Sequence, residues 1–232
     1  MDFVQRLKEF NIKINDEQIK KFMNYMNLLL EWNEKINLTA ITQPEEVKLK
    51  HFVDSLTVLK YINDDDKVID IGTGAGFPGI PLKIMKENTK ITLLDSLNKR
   101  INFLNIVIET LNLRNIQAIH GRAEEIARNK LYREKYDVAI SRAVANLSTL
   151  TEYMLPFVKV GGKCICMKGA NVNEELERAQ NAIKELGGEI KRVDNFYLSD
   201  NDNERNIIVI KKVKETNPKY PRKAGMPSKE PL

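Results

Sequence analysis

The sequence predicts an α/β fold in which a mostly parallel, seven-stranded sheet follows an N-terminal helical extension. From Lys67 onward, short apolar strands alternate with helical segments, a pattern typical of right-handed crossovers and of a parallel sheet covered on both faces. The first strand runs into a glycine-rich turn over residues 72–79, as in nucleotide-binding α/β sheets. The last two strands have no helix between them, so one of the two should run antiparallel.

Residues 1–63 have the apolar spacing of helices that pack on the body of the protein. Asn15 and Gln18 predict the start of a long helix. The segment 42–45 predicts a second start, a capping box with a proline in the first turn. We therefore expect a helical extension before the sheet.

The alternating region predicts the order of the elements and the domain boundaries. We divide the chain into the extension (1–63), a sheet domain (64–213) and a C-terminal tail (214–232). Strands are predicted at 67–71, 90–95, 116–120, 136–140, 162–168, 189–198 and 205–213. Helices are predicted between them at 78–87, 98–112, 123–129, 146–158 and 172–186.

Composition indicates a cytoplasmic protein that has no membrane partner. The chain has 232 residues and is 42% hydrophobic, which is enough for a sizeable core. It has neither the roughly 20 consecutive apolar residues of a membrane span nor the apolar run of a secretory signal. Cys164 and Cys166 share one face of a strand, too close for a disulfide and without a second ligand pair for zinc, so we expect buried thiols.

The formal positive charge lies at the end of the chain. Residues 211–232 hold seven basic and two acidic residues, whereas residues 1–210 hold 30 of each. Four of the eight prolines also lie in this last segment. The pattern predicts an extended basic arm that binds a polyanion, with a merely solvated tail as the alternative.

The glycine-rich turn fits two cofactors. Gly74, Gly76 and Gly79 satisfy the GxGxxG pattern of dinucleotide-binding folds. That pattern normally begins directly after the strand, a place that Gly72 occupies here, and Asp70 is placed to orient the turn and to face a cationic ligand. The turn thus resembles the first motif of class I S-adenosylmethionine methyltransferases, which predicts their Rossmann-like fold; an NAD-dependent oxidoreductase is the less favoured alternative.

Ligands of such sheets bind beyond the carboxyl ends of the strands, where this sequence offers usable residues. Phe77 is an apolar lid at the entry of the first helix. Asp95 ends the second strand and is placed either to accept both ribose hydroxyls or only to cap the next helix. After the third strand, Ala123 is placed against an adenine ring and Glu124 at its edge.

The fourth strand ends in Ser141-Arg142-Ala143 and points to the kind of acceptor. The sequence has no Asp/Asn-Pro-Pro-aromatic motif for exocyclic amino groups and no cysteine placed to attack a pyrimidine. The acceptor should therefore bring its own lone pair, as guanine N7 does. Catalysis would then be mainly in-line alignment. Arg142 would hold guanine O6, a phosphate or the cofactor carboxylate, or only pair with a neighbouring acid.

The two histidines give no further catalytic signal. Neither His51 nor His120 has metal-ligand neighbours or a serine–aspartate pairing in the sequence, so we predict no metal site and no hydrolytic triad. His51 and Asp54, three residues apart on one helix, are interpreted as a surface pair.

Several segments match one family over nearly the whole chain: 32–39, 51–56, 70–84, 121–125, 141–143 and 220–232. They resemble the bacterial ribosomal RNA small subunit methyltransferase G family, also called glucose-inhibited division protein B. The resemblance implies methylation of guanine N7 in 16S ribosomal RNA, with S-adenosylmethionine as the donor. It implies cofactor contacts at Gly72, Phe77, Ala123, Glu124 and Arg142, to which the wider methyltransferase pattern adds Gly74 and Asp95.

The expected partner is 16S ribosomal RNA or the small ribosomal subunit, and we expect a monomer. In the tail, Arg222, Lys223 and Lys229 are the predicted RNA contacts. Two other functions stay open at this point. One is a small-molecule methyltransferase of the same fold, and the other is a noncatalytic RNA-binding or ribosome-assembly factor with a relic cofactor turn.

Overall fold

A single sheet organises the chain. The computed structural model describes residues 3–142, 144–170, 172–199 and 202–232, and within them seven strands pair in the order β3-β2-β1-β4-β5-β7-β6. They are β1 (Lys67–Ile71), β2 (Lys90–Asp95), β3 (Ile116–His120), β4 (Tyr136–Arg142), β5 (Val158–Lys168), β6 (Gly188–Ser199) and β7 (Asp202–Lys212). The predicted seven-stranded α/β sheet is confirmed, and β5 begins four residues earlier than the apolar pattern indicates.

The last strand runs against the rest of the sheet. β7 pairs antiparallel with both β5 and β6, whereas β1 to β5 pair in parallel. The predicted antiparallel ending is therefore confirmed. Residues 200 and 201, between β6 and β7, lie outside the described residues, as does Ala143.

Helices cover both faces of the sheet. Those that follow β1 are α5 (Gly79–Met85), α6 (Asn98–Thr110), α7 (Ala123–Ile126), α8 (Leu147–Met154), α9 (Asn173–Glu185) and α10 (Met226–Lys229). α5, α6 and the N-terminal extension bury one apolar cluster, and α8, α9 and the end of the chain bury the other. Cys164 and Cys166 are free thiols in the second cluster, as expected, and burial raises the pKa of Cys166 to about 12.

The N-terminal extension is helical. Its elements are α1 (Phe3–Glu9), α2 (Asp16–Ile36), α3 (Pro44–Glu46), a π-helical segment (Val47–Val53), α4 (Asp54–Leu56) and a 3-10 turn (Leu59–Tyr61). Asn15 and Gln18 form the predicted capping box of α2. The predicted box over 42–45 is wrong. Because Pro44 takes the first helical position, Gln43 is the N-cap, and its side chain makes no capping hydrogen bond.

Aromatic contacts attach the extension to the sheet. The Tyr25 and Phe52 rings stack with centroids 5.5 Å apart, and the Tyr25 ring lies 5.3 Å from that of Phe77 in the glycine-rich turn. The Tyr25 hydroxyl, fully buried, donates to the carbonyl of Ala75 in the same turn. Buried aromatic surface and a satisfied hydroxyl together fix the extension against this turn. In the part of the chain that the structure describes, no helix has the length and apolar character to cross a membrane.

Residues 214–232, which we call the C-terminal strap, lie folded against α7 and α8. The prediction of an extended arm is wrong, because buried groups hold the strap down. Arg133 donates to the carbonyls of Thr216 (2.7 Å) and Tyr220 (2.8 Å), and the Tyr220 ring is buried in the second apolar cluster.

The central anchor of the strap is an ion pair between Arg222 and Glu152 of α8. The Arg222 guanidinium lies 2.7 Å from a Glu152 carboxylate oxygen, and its backbone N–H donates to the other oxygen at 2.7 Å. The Glu152 side chain is 1% exposed. A carboxylate buried this deeply needs a charged partner, which the sequence-based interpretation of Arg222 as a free RNA contact did not consider.

Replacing Arg222 should therefore destabilise the protein. We expect Arg222→Ala to lower the free energy of unfolding by about 3 kcal/mol, since it leaves the buried Glu152 carboxylate without its counter-ion. Urea unfolding followed by circular dichroism measures the effect. Arg178→Ala removes the partner of Glu174 from a pair that is 77% and 80% exposed, and should cost no more than about 0.5 kcal/mol. Equal losses in the two variants would contradict the anchoring role.

Candidate functional site

The glycine-rich turn follows β1 and is hydrogen-bonded to the end of the neighbouring strand β2. The backbone N–H groups of Gly72 and Thr73 both donate to the carbonyl of Leu94, at 2.9 and 3.1 Å. Gly72 and Gly74 adopt positive φ angles, 67° and 63°, that side chains disfavour. A Cβ on Gly74 would meet no atom within 4 Å, so this glycine borders open space. The turn is thus a tightly held cradle with one open side.

Asp95 ends β2 and faces the turn. Its carboxylate accepts the N–H groups of Gly74 and Leu97, both at 2.9 Å, and pairs with Arg100 at 3.2 Å. The side chain is 2% exposed. The structure therefore brings Asp95 to the predicted place, beside the glycine-rich turn. The alternative interpretation as a helix cap is not borne out, because Leu97 is the N-cap of α6 and, among the described residues, no side chain makes a capping hydrogen bond there.

Asp70, in β1, holds the glycine-rich turn through hydrogen bonds. Its Oδ2 accepts the Thr73 hydroxyl at 2.6 Å and the Gly79 N–H at 2.8 Å. Its Oδ1 is buried and has no hydrogen-bond partner among the described residues. Burial raises the pKa of this carboxyl to about 7, against the lowering effect of its bonds to Thr73 and Gly79. The predicted role in orienting the turn is confirmed by these contacts.

Arg142 lies at the end of β4, where four groups hold its guanidinium. It donates to the Lys50 carbonyl at 3.0 Å and to Asp54 Oδ2 at 3.1 Å, and one nitrogen lies 3.1 Å from His51 Nδ1. The guanidinium carbon is 5.1 Å from the centre of the Phe77 ring, within the range of a cation–π contact. Arg142 therefore meets the glycine-rich turn through Phe77, while the contact of each residue with the cofactor stays a prediction.

Asp54 and His51 form part of this site, so their interpretation as a surface pair is wrong. Both are buried, at 4% and 8% exposure. The second Asp54 oxygen accepts Arg205 Nε from β7 at 3.2 Å, so a single carboxylate joins two arginines. The π-helical segment, a feature common at functional sites, carries His51 and ends next to Asp54.

The contacts of His51 define its protonation. Because Arg142 always donates, His51 Nδ1 accepts, and the proton sits on Nε2, which lies 2.9 Å from the Thr39 hydroxyl. The ring stacks on Phe77 with centroids 4.4 Å apart. Burial, and then the charge of Arg142, lower the pKa of His51 to about 3. The imidazole is therefore neutral at physiological pH.

Ala123 and Glu124 begin α7, directly after β3. The Gly121 N–H donates to the Asp95 carbonyl at 3.0 Å, which ties this segment to the end of β2. Ala123 is half-buried and Glu124 is buried. The Glu124 carboxylate accepts the Gly225 N–H of the strap at 2.9 Å, a contact that sequence analysis did not predict.

The predicted cofactor residues thus lie together at the carboxyl ends of β1, β2, β3 and β4. Gly72, Gly74, Phe77 and Asp95 belong to the turn or contact it, and Arg142 reaches it through Phe77. The roles of Asp54, His51 and Tyr25 do not follow from the sequence pattern, although the first two lie in a segment, 51–56, that carries the family resemblance. Arg142 of β4 contacts both Asp54 and His51, and Arg205 of β7 contacts Asp54, so the spacing along the chain carried no signal of their role.

The groups around the glycine-rich turn fit a nucleoside cofactor that has a cationic centre. Gly74 leaves open space above the turn, a carboxylate lies at the end of β2, and the buried Asp70 Oδ1 lacks a partner among the described residues. No cluster of three or more His, Cys, Asp or Glu suited to a metal ion occurs in the described part of the chain.

A family model described as rRNA small subunit methyltransferase G matches residues 18–208. The chain belongs to this family. Relatives named Ribosomal RNA small subunit methyltransferase G from Clostridium botulinum (strain Loch Maree / Type A3) and Alkaliphilus oremlandii (strain OhILAs) are 54% and 53% identical to it. These alignments cover 97% and 100% of this chain and 95% and 100% of the relatives.

Solved structures agree on the fold. A SAM-dependent methyltransferase from Aquifex aeolicus matches 72% of this chain and 93% of its own, with a TM-score of 0.54 and 18% identity. TYW2 from M. jannaschii in complex with AdoMet matches 68% and 72%, with a TM-score of 0.53 and 15% identity. The class I methyltransferase fold is therefore confirmed. Membership of the family selects S-adenosylmethionine over NAD as the cofactor.

Adding a methyl group to Gly74 should weaken donor binding. We expect Gly74→Ala to raise the Kd for S-adenosylmethionine at least tenfold, because its Cβ would enter the open side of the cradle. Isothermal titration calorimetry measures the Kd. Gly161→Ala is the matched control, with φ at +90° and an equally open Cβ on a distant part of β5. Both variants should lose about 1 kcal/mol of stability from the positive φ. An unchanged Kd for Gly74→Ala would contradict the placement of the donor.

His51 should make the protein less stable in acid. The imidazole gains a proton near pH 6.5 when unfolded but only near pH 3 when folded, so stability falls as pH drops through this window. Between pH 7 and pH 5 we expect the wild type to lose about 2 kcal/mol more than His51→Gln. Urea unfolding at the two pH values measures the difference. Identical losses would show that His51 titrates normally in the folded protein.

Proposed function

We propose that this protein transfers a methyl group from S-adenosylmethionine to N7 of a guanine in 16S ribosomal RNA. One observation of the site carries the proposal. Arg142, at the end of β4, lies against Phe77 of the glycine-rich turn, so the strand expected to face the acceptor and the turn expected to hold the donor meet at one place. The family to which the chain belongs supplies the reaction class and the kind of RNA.

The residues around the turn would hold the donor. We assign its ribose to Asp95, its adenine to the segment at Ala123 and Glu124, and its amino-acid tail to the turn at Gly72 and Gly74. When bound, the donor supplies an electrophilic methyl group on a sulfonium. The Asp95 oxygens already accept the Gly74 and Leu97 N–H groups and both face Arg100, so the ribose hydroxyls would take the place of Arg100 on this carboxylate.

The acceptor needs orientation more than activation. Guanine N7 carries an in-plane lone pair at neutral pH, so no general base has to remove a proton. The chemistry of the site agrees with this, because the nearby His51 is occupied on Nδ1 by Arg142 and is neutral. We assign to Arg142 the role of positioning donor and base for in-line transfer. Asp54, His51 and the Lys50 carbonyl keep its guanidinium in one orientation.

The strap supplies part of the RNA surface. Lys223 and Lys229 are exposed and remain our predicted phosphate contacts, whereas the Arg222 guanidinium is engaged by Glu152. Lysine side chains on a surface bind phosphates without reading sequence. We further propose that the protein acts as a cytoplasmic monomer.

Methyl transfer tests the proposal directly. The protein is incubated with labelled donor and either small ribosomal subunits, free 16S RNA or small acceptors, and the product is mapped by nucleoside mass. We expect label in N7-methylguanosine from one of the two RNA substrates. Label on another base would contradict the N7 assignment. Label only on small acceptors, or no label, would favour the small-molecule methyltransferase or the noncatalytic assembly factor.

The salt dependence of RNA binding tests the strap contacts. We expect the double variant Lys223→Ala/Lys229→Ala to reduce the slope of log K against log salt by about 2, one for each lost phosphate contact. Lys159→Ala/Lys191→Ala removes two lysines that are 53% and 51% exposed and belong to β5 and β6 rather than to the strap, and should leave the slope unchanged. Equal slopes in both double variants would place the RNA contacts elsewhere.

A further inference from the structure

The C-terminal strap runs from the end of α9 to the first turn of α8 and contacts α7 between them. At its start, the Thr216 hydroxyl donates at 2.7 Å to the carbonyl of Leu186, the C-cap of α9. Near its end, the Pro227 carbonyl accepts the Thr149 hydroxyl at 2.9 Å, in the first turn of α8. Between these points, Gly225 contacts Glu124. The family model ends at residue 208, whereas the relatives named above align over 97% and 100% of the chain.

The contact between Gly225 and Glu124 joins the strap to α7. The Gly225 N–H donates to Glu124 Oε1 at 2.9 Å, and the Glu124 side chain is 6% exposed. A hydrogen bond to a buried carboxylate is stronger than one between neutral groups, because the charge is poorly solvated. The strap therefore restrains the one acidic side chain at the start of α7 that is buried.

The restraint continues from α7 to the glycine-rich turn. Gly121, next to α7, donates to the backbone of Asp95 at 3.0 Å, and the Asp95 carboxylate accepts the Gly74 N–H at 2.9 Å. The strap, α7, the end of β2 and the turn are thus connected by three hydrogen bonds and by the short stretch of chain from Gly121 to Glu124. Arg222 and Glu152 anchor the strap three residues before Gly225, which fixes where its N–H can point.

We propose that the strap is a positioning element of the donor site, in which Gly225 holds Glu124 and the start of α7 in the arrangement that binds S-adenosylmethionine. The proposal rests on the proposed function only in taking this edge of the sheet as the donor site. It assigns to the tail a role in donor affinity that is separate from its lysines and from RNA.

A pair of truncations tests the proposal, with S-adenosylhomocysteine as the probe in calorimetry. A chain that ends at Arg222 keeps the anchor with Glu152 but loses Gly225, and a chain that ends at Lys229 keeps both. We expect the first to raise the Kd about tenfold and the second to leave it unchanged. Comparable Kd values for the first truncation and the full chain would overturn the proposal.

A point variant gives the same comparison if the shorter chain does not fold. Gly225 has φ at +84°, and a Cβ there would meet no atom within 4 Å, so Gly225→Ala strains the strap without a clash. Gly161→Ala, with φ at +90° and equally open, is the matched control. We expect the Kd to rise several-fold in the first variant only. Equal Kd values in both would overturn the proposal.

Kinetics and a double-variant cycle separate positioning from loss of structure. Unfolding of part of the sample would lower kcat and leave KM for the donor unchanged, whereas loss of positioning should raise that KM.

If Gly225 acts through Glu124, the truncation at Arg222 should add nothing to the effect of Glu124→Ala on the Kd. Additive losses would overturn the route through Glu124.

The same samples distinguish this inference from the proposed function. A wild type that binds S-adenosylhomocysteine but methylates only small acceptors would refute the RNA substrate and leave the role of the strap standing. A wild type that does not bind the probe would overturn both. A wild type that methylates RNA while the truncation and Gly225→Ala keep their Kd would overturn the strap inference alone.

Discussion

The buried carboxylate of Asp54 is the group on which the arrangement of the site depends. It lies in the N-terminal extension and pairs with Arg142 of β4 and Arg205 of β7. These two strands are the neighbours of β5 in the sheet, one on each side. Each oxygen has a charged donor, which allows the carboxylate to be buried at 4% exposure. The extension therefore fixes the orientation of Arg142, although it contributes no strand to the sheet.

The need of a buried charge for a charged partner also explains why the C-terminal strap is folded against the protein. Lys212, at the end of β7, is completely buried and lies 3.0 Å from a Glu134 oxygen, and Arg222 pairs with the buried Glu152. Lys212 and Arg222, which the sequence assigns to a basic arm, are thus paired with acidic residues inside the fold. Lys223 and Lys229 stay exposed. The tail is consequently less basic at its surface than its composition indicates.

Local patterns predicted the elements well and the contacts between them poorly. The strands and the helices of the sheet domain follow from apolar periodicity, and the cap of α2 follows from Asn15 and Gln18, because these signals involve neighbours in the sequence. The surface interpretation of His51 and Asp54 failed, because their partner Arg142 lies about 90 residues away along the chain. The capping box at 42–45 failed for a local reason, since Pro44 set the helix start one residue later.

The sequence by itself determined the class I methyltransferase fold, the family and the cofactor, because strand periodicity is local and the segments that resemble the family, such as Ser141-Arg142-Ala143 and 220–232, are specific, whereas the glycine spacing alone fits two cofactors. The tertiary structure decided how the charged residues are used. It placed Asp54 and His51 around Arg142, and Gly225 against Glu124. The physical reason is that a charge can be buried only beside its partner, and that partner is chosen by the packing of distant segments rather than by spacing along the chain.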